Sequence, residues 1–122
     1  IAIDQSGSVS NDMLNEFFNE LNKLATLATF TVIPFDDRVF ESKIYKWKKG
    51  EKRKWERVLS GGTSFQAVTD YINKNPAYDA VLLLTDMYAE KPGPCKVQRA
   101  WMTTDDCKRH MPFQTNELVL TV

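Results

Sequence analysis

Five apolar residues in a row, Ala80-Val81-Leu82-Leu83-Leu84, stand between Tyr78-Asp79 and Thr85-Asp86. A run this short that is apolar at every position describes a strand buried on both faces, which is the mark of a parallel sheet. Parallel neighbours need long crossover connections, usually helical, so the rest of the chain must supply further strands with helices between them. The run ends in an acid. In an open α/β sheet the carboxyl ends of the strands face the ligand crevice, so Asp86 is a candidate site residue on position alone.

Ile1-Ala2-Ile3 reads as the end of another buried strand, and it breaks into Asp4-Gln5-Ser6-Gly7-Ser8. Gly7 frees the backbone to wrap, and Asn11-Asp12 opens a helical pattern. Met13, Leu14, Phe17, Phe18, Leu21, Leu24, Ala25 and Ala28 recur at spacings of three and four, which predicts an amphipathic helix over about residues 11–26. One carboxylate and two hydroxyls between strand and helix suit a hard cation such as Mg2+. The same residues also serve as ordinary helix caps, so this loop by itself does not choose between the two.

Phe30 to Phe35 forms a β-rich strand, with Pro34 arguing for an edge position or a strand end. Asp36-Asp37-Arg38 turns the chain into Val39 to Trp47, whose partial alternation suggests a half-exposed strand and a hairpin. A basic run from Lys46 to Arg57 holds Trp47 and Trp55 among its cations. Aromatics among cations can bind single-stranded nucleic acid. Glu51 and Glu56 interrupt the run, however, and the chain's sixteen basic and sixteen acidic residues balance. A solvated segment with both tryptophans anchored in the core is the preferred reading, with no nucleic acid as partner.

Ser60-Gly61-Gly62-Thr63-Ser64 lets the backbone turn tightly and bring the Thr63 hydroxyl to a ligand, before Phe65, Val68, Tyr71 and Ile72 start a helix. Thr63 as an N-cap is the plainer alternative. Leu59-Ser60-Gly61-Gly62 is similar to the signature of ATP-binding transporter subunits, but no phosphate-binding Gly-x-x-x-x-Gly-Lys-Ser/Thr loop accompanies it. Val97 to Thr103 reads as a strand, Asp105 to His110 as a short turn or helix, and Glu117 to Val122 as a last strand.

With 122 residues the chain has the size of one domain. No apolar run approaches the roughly 20 residues of a membrane span, so no membrane is expected as a partner. Because it begins within a strand, we expect a fragment of a longer protein. Cys95 and Cys107 with the single His110 make a poor zinc set. They read as reduced thiols of a cytoplasmic protein, with a disulfide as the alternative.

Asp4, Ser6, Ser8, Thr63 and Asp86 thus come from three loops. In this order they resemble the metal-ion-dependent adhesion site of the von Willebrand factor A family, written Asp-x-Ser-x-Ser, then Thr, then Asp. Ile-Asp-Gln-Ser-Gly-Ser, Gly-Gly-Thr-Ser and Leu-Leu-Leu-Thr-Asp carry the match over residues 1 to 86. The compact form, the Gly-Gly-Thr loop, and Arg99-Ala100-Trp101-Met102 followed by Met111-Pro112-Phe113 look most similar to the bacterial and phage intracellular branch. Some members of that branch follow a metallopeptidase-like region. The short spacing from Ser8 to Thr63 argues against an extracellular adhesive role.

The resemblance implies a doubly wound, Rossmann-like α/β fold: a mostly parallel sheet of about six strands, helices on both faces, and one antiparallel edge strand. It also implies Mg2+ or Mn2+ held by Ser6, Ser8 and Thr63, with Asp4 and Asp86 orienting its waters and those hydroxyls. Hydroxyl ligands leave the ion much of its charge, so the expected function is a protein-interaction module whose partner completes the coordination with a Glu or Asp. An upstream peptidase-like domain or an AAA-type ATPase is the expected context, and Asp36, Asp37 and Tyr88 are candidates for the crevice rim.

Two other classes compete. One is a metal-assisted phosphohydrolase with Asp4 as nucleophile. Haloacid-dehalogenase-like enzymes have a second Asp where this chain has Ser6, so the general acid is missing. The other is a scaffold with a non-functional site. His110 reads as a surface residue, and no Ser-His-Asp set forms.

Overall fold

Successive side chains of a strand point to opposite faces. In the computed structural model, which describes residues 1–122, apolar side chains fill both sides of the central strands. The chain lays down β1 (Ala2–Asp4), α1 (Asn11–Ala25), β2 (Phe30–Phe35), β3 (Tyr45–Trp47), α2 (Phe65–Asn73), β4 (Ala80–Leu84), β5 (Gln98–Thr103), α3 (Asp105–Arg109) and β6 (Val119–Thr121). They build one six-stranded sheet in the order β3-β2-β1-β4-β5-β6. All neighbours are parallel except β3, which pairs antiparallel to β2 at the edge. This is the expected doubly wound α/β architecture.

On one face Ile3, Val32 and Leu84 meet Leu14, Phe17, Phe18 and Leu21 of α1; on the other Ala2, Ile33, Val81 and Leu83 meet Phe65, Val68 and Ile72 of α2. Each large side chain so buried contributes about 1.5–3 kcal/mol. Ser10 caps α1 by accepting the Met13 N–H at 3.1 Å. The helix stops at Ala25, where the Thr26 hydroxyl donates to the Lys23 carbonyl at 2.7 Å.

Pro34 sits in an interior strand, at its end rather than at an edge. Ile33 and Phe35 bond to β1 through Ile33 N to Ile1 O and Gln5 N to Phe35 O, so position 34 faces the β3 side. There β3 reaches only as far as Val32, and the missing N–H leaves no ladder bond unmade.

The hairpin is shorter than the alternation suggested. Asp36 closes a tight turn with Arg38, and Phe40 N bonds to Pro34 O at 2.9 Å. Only the isolated bridge Phe35 to Val39 forms before Glu41–Lys43 make a 3-10 turn and pairing resumes at Tyr45.

Residues 48–60 carry no helix or strand and run back along α1, from Gly50 N on Ala25 O, past Asn22 against Arg53, to Arg57 against Asn11. Trp47 is buried with its indole N–H on the Glu51 carbonyl at 3.0 Å. Trp55 overturns the expectation for the second tryptophan, being 38% exposed. The inward contacts of this segment are hydrogen bonds from its backbone and Arg57, which hold it without an apolar anchor at position 55.

No helix is long and apolar enough to cross a membrane. Cys95 and Cys107 are free thiols.

Candidate metal centre

The strand order turns back between β1 and β4, since β2 lies on one side of β1 and β4 on the other. The carboxyl ends of those two strands open the crevice. Asp4, the last residue of β1, is 0% exposed. Its Oδ1 accepts the Ser6 N–H at 2.8 Å and its Oδ2 accepts the Thr85 hydroxyl at 2.6 Å. Both carboxylate oxygens are thereby fixed in direction. The Ser6 and Ser8 hydroxyls lie 3.2 Å apart, Ser6 buried and Ser8 exposed. Adjacent oxygens of an octahedron with metal–oxygen bonds of about 2.1 Å lie about 3.0 Å apart, so this pair has the spacing of two neighbouring ligands.

The second loop is drawn onto the first. Gly7 N donates to Gly61 O at 2.9 Å, and a Cβ on Gly7 would stand 3.0 Å from the Ser60 carbonyl oxygen. Gly61 N donates to Asp36 Oδ2 at 3.0 Å, with room there for a hydrogen only: a Cβ would lie 2.8 Å from that same oxygen. Asp36 O accepts the Ser64 N–H at 2.8 Å. Ser64, not Thr63, caps α2, accepting the Ala67 N–H at 3.1 Å. The Thr63 hydroxyl, two residues past the Gly7 contact, is left with no capping duty.

Because both glycines sit where the loops touch, Gly61→Ala is expected to expel the Asp36 carboxylate and to destabilise the fold by about 1–3 kcal/mol through overpacking. Urea unfolding measures this; a loss under about 0.5 kcal/mol would mean that the loops part freely.

Asp86 follows β4 by two residues, and its Oδ1 accepts the Tyr88 N–H at 3.0 Å. Between them Met87 is fully buried at φ 66, a left-handed conformation uncommon outside glycine and asparagine. Its N–H donates to the Thr85 hydroxyl at 3.1 Å, and its side chain packs into the α2 face. Strain of about 1–3 kcal/mol is held there by packing, a pattern that clusters at ligand sites. Thr85 ties the centre together, donating to Asp4 and accepting from Met87.

Burial pushes the Asp4 carboxyl up to about 6 from its ordinary 3.8; the hydrogen bonds from Ser6 and Thr85 oppose the shift, and the neighbouring Asp86 charge adds to it. Asp86 is 9% exposed. Neither carboxylate takes part in an ion pair. Two buried acids without a counter-charge are costly unless a cation joins them. No group of three or more His, Cys, Asp or Glu residues gathers; the oxygens that do converge are the Ser6 and Ser8 hydroxyls beside the Asp4 carboxylate, a chemistry that suits a hard ion that keeps waters. The residues present fit Mg2+ or Mn2+.

Asp4, Ser6 and Ser8 meet directly; the loop bearing Thr63 meets them through Gly7 and Gly61, and Asp86 through Thr85 and its field on Asp4. Tyr88, 73% exposed, donates its N–H to Asp86, and the exposed Asp37 lies against Gly61 and Gly62, whereas Asp36 is buried and holds Gly61 and Ser64. His110 is exposed, with Nδ1 2.8 Å from Asp106 O. Asp36, expected at the crevice rim, is instead buried as an anchor for Gly61 and Ser64, while Thr85, Gln5 and Arg57 had no site role in the sequence reading. Only Thr85 had a signal, its place opposite Asp4 once β1 and β4 are paired.

No solved structure matches the chain. An uncharacterized protein of Thermotoga maritima is 27% identical over 92 residues, 74% of this chain and 23% of that protein. The chain therefore spans about a quarter of that relative's length. The model of the VWA-like domain family DUF2201 matches residues 1–120. With nearly its whole length covered, the chain belongs to the VWA-like domain family.

Proposed function

We propose that this domain is a divalent-metal-dependent protein-interaction module. The observation that carries the reading is the pair of buried, unpaired carboxylates, Asp4 and Asp86, beside the converging Ser6 and Ser8 hydroxyls. Ser6, Ser8 and Thr63 hold the ion through neutral oxygens, while Asp4 and Asp86 fix those groups and the ion's waters from behind. A bound Mg2+ or Mn2+ supplies a positive charge with an open coordination position, to which a partner's Glu or Asp binds. The exposed Ser8 and Tyr88 leave that side of the crevice accessible to another protein. The expected partner is an AAA-type ATPase or a peptidase-like neighbour, and the free thiols suit a reducing, cytoplasmic setting.

Phosphoryl transfer through Asp4 is disfavoured because both its oxygens already accept hydrogen bonds and it is fully buried. A scaffold role would leave two buried charges without a reason.

Water-proton relaxation tests the reading. Mn2+ with the protein should relax water protons faster than the same Mn2+ in buffer, because a slowly tumbling open site keeps exchangeable waters. A glutamate-bearing peptide should lower the enhancement, and EDTA should abolish it. Relaxation no faster than that of the same Mn2+ in buffer, at protein concentrations up to millimolar, contradicts the proposal.

A further inference from the structure

Arg57 lies in the segment before α2, outside the residues assigned to the ion. Its guanidinium meets backbone oxygens in place of carboxylates. Nη1 donates to Gln5 O at 3.0 Å, Ser6 O at 3.3 Å and Leu59 O at 3.5 Å; Nη2 donates to Val9 O, and Nε to Asn11 Oδ1 at 3.0 Å. Arg57 forms no ion pair. Three of its five acceptors are carbonyls of the loop that presents Ser6 and Ser8. Gln5, 1% exposed, closes the same junction from the other side. Its Nε2 donates to Glu56 O at 2.9 Å and its Oε1 accepts the Val58 N–H at 2.8 Å, as a strand neighbour would.

The chemistry of this arrangement is selective. Backbone carbonyls are hard oxygen donors and compete with hydroxyls for a cation such as Mg2+. A planar guanidinium with five fixed donors is suited to gathering several carbonyls at once. With Gln5 O, Ser6 O and Val9 O engaged by Arg57, three of the loop's carbonyls are withdrawn from competition with its hydroxyls, and the loop's shape is set before any ion arrives. A loop ordered in advance does not lose that freedom on binding, which favours affinity.

We infer that Arg57, braced by Gln5, is a positioning residue that holds the Gln5–Val9 loop in its ion-ready form in the metal-free protein. The inference rests on the metal-binding reading above. Supports of metal ligands typically contribute 10–100-fold in affinity, and Arg57→Gln should show a loss of that size for Mn2+.

The test uses the whole chain as wild type, Arg57→Gln, Arg57→Lys and, as a charge control in the same segment, Lys54→Ala. Mn2+ affinity is read by electron paramagnetic resonance, and amide hydrogen exchange is read in the metal-free state. Arg57→Gln should weaken Mn2+ binding at least tenfold and speed exchange at Gly7 and Val9, with strands β1 and β4 still protected. Arg57→Lys, which keeps the charge but not the fork, should fall between, and Lys54→Ala should match wild type. Wild type binding Mn2+ with Arg57→Gln and Arg57→Lys equally tight overturns the inference and leaves the metal reading intact. Wild type without Mn2+ affinity overturns the metal reading, and the inference with it. If Arg57→Gln does not fold, Arg57→Lys decides: wild-type affinity and loop exchange in that variant count against the inference.

Discussion

Replacing Glu117 by alanine is expected to destabilise the fold by about 3–5 kcal/mol, because it strands a buried cation. Arg99 is 7% exposed and lies on the α2 face of β5. Its Nε and Nη2 grip the Glu117 carboxylate at 2.8 and 2.9 Å, and the Trp101 indole N–H donates to the same carboxylate at 2.8 Å. Its Nη1 donates to the Thr69 hydroxyl and to Gly93 O, each at 2.8 Å. One ion pair thus joins α2, the loop before β5, and the entry to β6, a strand of three residues that needs such support.

Without the carboxylate both the guanidinium and the indole lose their acceptor. Arg99→Met together with Glu117→Leu should be milder, since no charge is then left unpaired and the Trp101 indole N–H alone loses its acceptor. Urea unfolding of the single and double variants measures the difference as a shift of midpoint at constant slope. Burial pushes the Glu117 carboxyl up, but the Arg99 and Trp101 contacts outweigh it, so it lies below its ordinary 4.5. Its stabilisation is present above that value and is lost as pH falls through the lowered one.

The opposite sign is expected at Asp4. Its carboxyl is raised to about 6 in the metal-free protein, so between 3.8 and about 6 the folded state binds more protons than the unfolded one, and stability falls as pH rises through that window. At pH 7 the ionised group costs about 3 kcal/mol. Asp4→Asn removes the charge while an amide oxygen can still accept the Ser6 N–H and the amide nitrogen can donate to the Thr85 hydroxyl oxygen. The metal-free variant should gain on the order of 2–3 kcal/mol at pH 7, and its pH dependence between 4 and 6 should flatten. Mn2+ should raise the melting temperature of wild type and leave the variant unmoved. A residue that weakens the fold and serves the ligand is the usual mark of a functional site. Loss of stability in Asp4→Asn would show instead that the carboxylate is structural.

The central strand β4 and helices α1 and α2 were legible because periodicity and burial coincide: Val81 and Leu83 serve one face and Leu84 the other. The three loops of the candidate site were legible as loops because small oxygen-bearing residues and glycines stand where apolar runs stop. What escaped was tertiary. Val39 to Lys43 alternates enough to suggest a strand, yet the Asp36 turn and a 3-10 turn take its place. Trp55 was expected inside because tryptophan usually is, but polar contacts hold its segment instead. Thr85, Gln5 and Arg57 act through partners some 50 to 80 positions away, at separations of 81, 53 and 52 residues for Asp4, Val58 and Gln5 O. Local pattern holds no record of such pairs.

Crystals grown with Mn2+ and measured at an energy where manganese scatters anomalously test the central claim most directly. The account predicts one strong peak about 2.2 Å from the Ser6 and Ser8 hydroxyl oxygens, with Thr63 beside it and Asp4 and Asp86 behind water. Those five side chains ordered as described, with no anomalous density among them at saturating Mn2+, would contradict it.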